Sequence, residues 1–362
     1  MDKNIMELAA RRGFIWPSYE IYGGVSGFYD YGPLGATLKK KVEDTWRELY
    51  CIKEGFLEIS SPTVSPEEVF IASGHVNSFE DPILECKKCD SVYRADHAIS
   101  EATNIKTEGL SLAELEEVLN KNNVKCSKCG GNFGSVSTYN LMFKTHIGPG
   151  KKKIGYLRPE TAQSMFVLFN RLYSFYRKRL PFGVVQLGKA YRNEISPRQG
   201  LIRLREFNQA EVEIFVDPSN KTCENFNSVK RTKLDLIPQD GTKARISVGD
   251  AVKKGIIVHE LLAYHLTLVN TFLKDVGLSE EKIRYRQHKK NEMAHYAADC
   301  WDAEFNTERY GWIEIVGIAD RTCFDLESHK KQSSADLTAF VRFDEPKKEI
   351  VQRLSPKMNI IG

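Results

Sequence analysis

Tyr191-Arg192-Asn193-Glu194 and, after a loop over 196–202, Arg203-Leu204-Arg205-Glu206-Phe207-Asn208-Gln209-Ala210-Glu211 lie in two strand-like runs, 182–195 and 203–216, that read as one long antiparallel hairpin. Side chains alternate faces along a strand, so Arg205, Phe207, Gln209, Glu211 and Glu213 share one face, and Arg192 and Glu194 share one face of the partner run. Two arginines, several carboxylates and one aromatic make a poor core. They make a good floor for a charged ligand: a planar guanidinium fork for phosphate, a phenyl face to stack a base, and carboxylates for an ammonium group. A solvent-facing sheet held by salt bridges has the same pattern, and the residues of the hairpin leave both readings open.

Working outward, a helix fits 34–54, starting beside Pro33 and ending at Gly55, followed by a short strand over 56–60 that Pro62 stops. Residues 2–12 also have helical spacing. Residues 82–139 read as an inserted module with a charged helix at 111–123, whose Leu112, Leu115, Val118 and Leu119 form one stripe. The region 218–290 begins polar and turns helical over 258–276, and a strand-rich block covers 300–324. The expected organisation is a first part of the core at 1–81, the insertion at 82–139, the hairpin part at 140–217, a helical insertion at 218–290, a third part of the core at 291–345, and the start of a linker or further insertion at 346–362.

The insertion holds Cys86, Cys89, Cys126 and Cys129, two C-x-x-C pairs. Four thiolates suit a closed tetrahedral zinc site, which is a structural rather than a catalytic arrangement. The 36 residues between the pairs exceed the usual ribbon spacing, so the helix has to fill the gap. His288, His295 and Cys300 have no familiar ligand spacing and read as core or surface residues.

Of the 362 residues, 41% are hydrophobic and 28% charged, an ordinary soluble composition, and no apolar run approaches the roughly 20 residues that span a bilayer. The first twelve residues lack a signal-peptide pattern, so a cytoplasmic protein without membrane contact is expected. The net charge of +4 permits a polyanionic partner without demanding one, and Lys151-Lys152-Lys153 and Arg177-Lys178-Arg179 read first as solvated surface.

The hairpin residues match the second signature motif of the class II aminoacyl-tRNA synthetases, and Gly55-Phe56-Leu57-Glu58-Ile59-Ser60-Ser61-Pro62 matches the first. The finer signatures Ile21-Tyr22-Gly23-Gly24, Ser73-Gly74-His75-Val76, Arg158-Pro159-Glu160-Thr161-Ala162-Gln163, Asn291-Glu292-Met293-Ala294-His295-Tyr296 and Gly311-Trp312-Ile313-Glu314-Ile315-Val316-Gly317 resemble the glycyl-tRNA synthetases of archaeal and eukaryotic type. The cysteine quartet points to the archaeal branch.

The resemblance implies an α+β fold: an antiparallel sheet of about six strands flanked by helices, with a zinc-bearing insertion. It implies a glycine–tRNA ligase that uses ATP with Mg²⁺ and acts on tRNA(Gly) as a homodimer. Arg192, Arg203 and Glu314 are the implied catalytic residues, and Arg192, Asn193, Glu194, Arg203, Leu204, Phe207, Glu314 and Ile315 the implied ATP contacts. Glu160 and Glu211 are implied for glycine, with Arg158 and Gln163 as structural supports and Arg198 in the hairpin loop near tRNA or ATP. The third class II motif, a Gly-rich run leading to Glu-Arg, is not found. A fragment of a ligase, or a non-catalytic synthetase-like subunit that binds nucleic acid or a partner, are the alternatives this leaves.

Overall fold

The hairpin forms as its alternation demands. Strands β2 (Phe182–Tyr191) and β3 (Glu206–Phe215) pair antiparallel from Phe182↔Phe215 to Tyr191↔Glu206. Both are shorter than the runs that predict them. Arg192 N–H still donates to Arg205 C=O at 3.0 Å, but Asn193 N–H turns away to Leu141 C=O at 2.7 Å, which ends the ladder. Strand β1 (Leu57–Ile59) adds to β2 in parallel and completes a three-stranded sheet. Before it, helix α1 (Pro33–Arg47) has proline in its first turn and continues as a π-helical turn over Glu48–Lys53. The wider turn buries Leu49 and Tyr50, and Gly55 at φ +70° closes the segment.

The computed structural model describes residues 3–107, 109–195, 197, 201–290, 292 and 297–340. Arg198, Asn291, His295, Tyr296 and the expected linker at 346–362 lie outside the described residues.

A second sheet contains β4 (Lys233–Ile237), β5 (Ala244–Ser247), β6 (Ile283–Gln287), β7 (Asp299–Thr307) and β8 (Gly311–Asp320), in the order β5-β4-β6-β7-β8. Only β4 and β6 run parallel. This corrects the expectation for 218–290: the segment is not a helical insertion, because three of its stretches are strands of this sheet. Their apolar alternation is only two residues deep, Leu234/Leu236 in β4 and Ile283/Tyr285 in β6, too short to stand out beside the helix between them. The strands around the site form a three-stranded and a five-stranded sheet, mostly antiparallel, as the α+β expectation requires.

That helix, α2 (Glu260–Asp275), joins the sheets. It is capped by His259, whose Nδ1 accepts from Leu262 N–H at 3.1 Å, and it is buried nearly all round. Leu262, Leu266, Val269 and Phe272 share one core with Trp46, Tyr50 and Val185 on the hairpin side and with Tyr285, Trp301 and Ala303 on the other. Above it, the free edges of β3 and β8 face a common cavity.

The insertion has a core of its own, including Leu84, Tyr93, Ile99, Leu115, Leu119 and Phe133. Its base is closed by antiparallel pairing of the strands Glu80–Glu85 and Ser137–Asn140. The predicted helix is Leu112–Lys121, with a full capping box between Ser111 and Glu114. No described helix is long and apolar enough to cross a membrane.

Candidate functional site

The cavity has a volume of about 1540 Å³. Consecutive residues of β3, Phe207 to Phe215, and of β8, Glu314 to Asp320, line its two walls, and α2 closes its base. A single small-ligand pocket is usually about 300–1,000 Å³, so this space has room for two ligands side by side.

Acidic groups gather at one end. The segment 158–162 leads into helix α3 (Gln163–Val167) and carries Glu160 to the cavity wall. Gln163 Nε2 donates to Glu160 Oε1 at 2.7 Å, and His75 Nε2 lies 3.6 Å from Glu160 Oε2. The Thr161 hydroxyl donates to Glu211 in a short hydrogen bond. After β8, Arg321 places Nε and Nη2 on Asp325, each at 2.9 Å, at the start of helix α4 (Phe324–Ser333). Arg321 also acts electrostatically on Glu160, Glu211 and Glu213. Arg158, expected as a support, is one. Its Nε and Nη1 donate to the carbonyls of Lys189 and Ser61 at 2.8 and 3.1 Å, and a Cβ at Gly188 would overlap its guanidinium.

The carboxyls separate in acidity. Burial pushes Glu160 up, but His75, Arg321 and the Gln163 amide outweigh it and hold the group below the usual carboxylate range. Burial and the charge on Glu160 raise Glu211 to about 7. Burial raises Glu213 to about 8 against the pull of Arg321. The acidic end thus holds one firmly ionised carboxylate beside two that keep their protons more readily.

The other end carries the hairpin residues. The Arg192 guanidinium lies 5.4 Å from the ring centroids of both Phe79 and Phe207, with Nε donating to Pro159 C=O at 3.2 Å. Burial raises the Glu194 carboxyl, and Arg203, with Nη1 3.9 Å away, opposes that shift. Asn193 donates from Nδ2 to the Tyr139 hydroxyl at 2.5 Å, and Leu204 is half-buried. Glu314 and Ile315 open onto the cavity from a bulge in β8, where the register shifts against Ala303/Glu304. Burial and the neighbouring Asp302 raise the Glu314 carboxyl.

Sequence spacing gave no reason to group His288 with Cys300, yet strand pairing brings them and Asp302 within 4.8 Å of one another. Asp302 already accepts from Arg286 Nη2 at 2.8 Å and bonds His288 Nε2 at 2.7 Å. Burial, with Asp302 and Glu314, pushes the Cys300 thiol up to about 12. Asp302 is thus already engaged by a guanidinium and an imidazole beside the half-buried thiol.

The four cysteines of the insertion are different. Cys86 and Cys129 place their sulfurs 3.5 Å apart, Cys89 and Cys126 3.8 Å, and all four lie within 4.8 Å of one another. Tetrahedral Zn–S bonds of about 2.3 Å put sulfurs about 3.8 Å apart. Matching turns, Asp90 N–H to Cys86 C=O at 2.9 Å and Gly130 N–H to Cys126 C=O at 2.8 Å, shape the two knuckles. The set could hold zinc with no position left open.

Sequence reading missed Arg321, Asp325, Glu213 as a site residue, and His75 as a partner of Glu160.

Residues 144–236 match the family model described as the class II core domain of the tRNA synthetases (G, H, P, S and T). A glycine–tRNA ligase of Methanococcus vannielii is 56% identical over 375 residues, covering 100% of this chain and 65% of that protein. Those of Methanocaldococcus jannaschii and Methanothermobacter thermautotrophicus are each 54% identical, covering 99% of this chain and 64% of theirs. The chain therefore spans just under two thirds of the length of these relatives. A Giardia lamblia prolyl-tRNA synthetase solved with prolyl-adenylate is similar in fold, with a TM-score of 0.51 at 14% identity over 90% of this chain and 45% of that one.

The raised Glu213 carboxyl makes stability depend on pH. Unfolded, it ionises at its ordinary value of 4.5, whereas folded it keeps its proton up to about 8. The folded state binds the extra proton in that window, so this group's contribution to stability falls as pH rises through it. Glu213→Gln removes the slope. Its melting temperature relative to the parent protein should rise between pH 5 and pH 8.5 in calorimetry, and a difference independent of pH would contradict the assignment.

Proposed function

We propose that the chain belongs to the class II aminoacyl-tRNA synthetases, in the glycine–tRNA ligase branch, and that it is the catalytic region of an enzyme that activates glycine with ATP and transfers it to tRNA(Gly). The observation that carries the proposal is the division of one cavity into an acidic end around Glu160 and Glu211 and an arginine–aromatic end around Arg192 and Phe207.

In the proposed first step a carboxylate oxygen of glycine attacks the α-phosphorus of ATP. A P–O bond forms, the bond to the β-phosphate oxygen breaks, and pyrophosphate leaves. The nucleophile is already ionised, so no general base is required, and catalysis is positioning plus charge stabilisation. Glu160, ionised throughout the neutral range, receives the ammonium group, with Glu211 beside it. Arg192 presents its fork to the α-phosphate, Phe207 offers a ring face to adenine, and Glu194 accepts from the adenine amino group. Arg203 steadies the terminal phosphates. Ile315 lines the cavity, and Leu204 and Asn193 would complete the nucleotide end. Glu314, whose carboxyl is raised by burial and then by Asp302, would hold Mg²⁺, which would spread phosphate charge. In the second step a hydroxyl of the terminal tRNA ribose attacks the glycyl carbonyl and AMP leaves. Glycine offers no side chain to grip, so selectivity would come from excluding larger amino acids by size, which needs no editing.

Glycine-dependent exchange of labelled pyrophosphate into ATP tests this reading. Exchange should occur with glycine and not with alanine or serine, and Arg192→Ala should lower it about 100-fold or more. Exchange that does not depend on glycine, or that survives the loss of Arg192, counts against it.

The cysteine quartet is proposed as a structural zinc site that holds the insertion, whose remaining core is small. One zinc per chain should be found by elemental analysis. Cys86→Ser should lose it and open the insertion to proteolysis between 82 and 139, while equal protease resistance with and without metal would contradict the role.

We propose a cytoplasmic homodimer for the active form. Trp16, Tyr19, Ile21, Tyr22, Leu34 and Leu38 are exposed, Ile21 and Tyr22 at 89% and 84%, on the N-terminal stretch that leads into α1. Apolar exposure of this density marks an interaction surface. Light scattering should show a dimer that Ile21→Asp with Tyr22→Asp converts to monomer; a double variant that stays dimeric would place the interface elsewhere.

A further inference from the structure

Neither Gln163 nor His329 lines the cavity, yet both are buried, at 2% and 6% exposure, directly behind Glu160. The primary amide of Gln163 has three partners. Its Nε2 donates to Glu160 Oε1 at 2.7 Å and to Asp325 Oδ1 at 3.2 Å, and its Oε1 meets His329 Nε2 at 2.8 Å. An amide is asymmetric: one end donates twice, the other only accepts. With two carboxylates on one side, only the orientation that points NH₂ toward them is tolerable. The reverse would set Oε1 against two acceptors in a buried place, where unmatched polar groups are costly.

The observed orientation leaves Oε1 needing a donor, and His329 is the group that meets it. The bond requires the proton on Nε2 of the His329 ring. Burial disfavours a second proton on the ring, so the neutral Nε2–H form suffices. Further bonds hold the His329 backbone and the neighbouring carboxylate in place. Ser333 Oγ donates to His329 C=O at 2.6 Å, and Asp325, on the same helix, is fixed by two bonds from Arg321. The next partner of Glu160, His75, is farther, at 3.6 Å. The shortest bond to the Glu160 carboxylate therefore comes from an amide whose direction is set from α4.

We infer that His329 is a positioning residue for the amino-acid end of the site: it fixes the Gln163 amide, which in turn aims the Glu160 carboxylate. This rests on the reading that Glu160 receives the ammonium group of glycine. Removing the donor frees the amide to turn and the carboxylate to swing, which should weaken glycine capture and leave nucleotide binding alone, because the side-chain bonds of His329 and Gln163 go to each other, Glu160 and Asp325 and not to Arg192 or Phe207.

The test compares His329→Phe, which keeps a ring without a donor, with His329→Gln, whose amide can donate. In glycine-dependent pyrophosphate exchange, His329→Phe should raise the KM for glycine about 10-fold, as expected for loss of support to a charged hydrogen bond. The KM for ATP should stay within about twofold, and His329→Gln should recover most of the loss. An unchanged glycine KM, or glycine and ATP constants that rise together in both variants, overturns the inference. A readout independent of turnover separates it from the functional reading. In protein labelled with ¹⁵N-glutamine, the Gln163 side-chain amide, identified by its loss in Gln163→Met, should exchange slowly with solvent. It should become fast in His329→Phe and stay slow in His329→Gln. If the parent protein shows no glycine-dependent exchange, the functional reading fails, and this amide signal alone decides the positioning: no change in His329→Phe overturns it.

Discussion

Like charges held close together out of water are the constraint on which this structure turns. Glu160, Glu211, Glu213 and Asp325 converge where β3, β8, α3 and α4 meet, around the guanidinium of Arg321. A protein can tolerate such a group only by supplying counter-charge and hydrogen bonds or by leaving carboxyls protonated. Both occur here. Glu160 is kept ionised by His75, Arg321 and Gln163, whereas Glu211 and Glu213 keep their protons to about 7 and 8. An arriving ammonium group finds one carboxylate already charged and a second that its own charge would help to ionise.

The scaffold that holds this group in register reaches well beyond it. Arg321 directly follows Asp320, the last residue of β8. Asp320 is tied to Lys221 Nζ at 2.6 Å and to His259 Nε2 at 3.1 Å, and the other nitrogen of the His259 ring caps α2. The helix that forms the common core of both sheets thus also anchors the end of the strand that delivers the guanidinium. On the opposite wall, Glu211 and Glu213 ride on β3, whose register is fixed by unbroken pairing with β2. The two walls are joined through the core rather than through a shared ladder, which leaves the cavity open between the β3 and β8 edges.

Some of this was legible from residues alone. The hairpin announced itself because period-two alternation placed Arg, Phe and Glu on one face, where a core would be apolar. The cysteine quartet was equally plain, since paired C-x-x-C spacing carries its own geometry. Glu160 and Glu211 came from the family resemblance, and the structure puts both in the cavity. The strands β4 and β6 were not legible, because each has a five-residue span with two inward apolar side chains beside a strongly apolar helix. Nor was the counter-charge: His75 and Arg321 lie far from Glu160 in sequence, and only tertiary packing shows that a carboxylate needs them.

The central claim is that one cavity seats an amino acid at the acidic end and a nucleotide at the arginine–aromatic end, joined at the α-phosphate. A crystal structure of the protein with a non-hydrolysable sulfamoyl analogue of glycyl-adenylate tests it most directly. The account predicts the ammonium group between Glu160 and Glu211, the sulfamoyl group at the Arg192 guanidinium, and adenine against the Phe207 ring. An analogue bound with its amino group away from the two glutamates, or bound outside the space between β3 and β8, would contradict it.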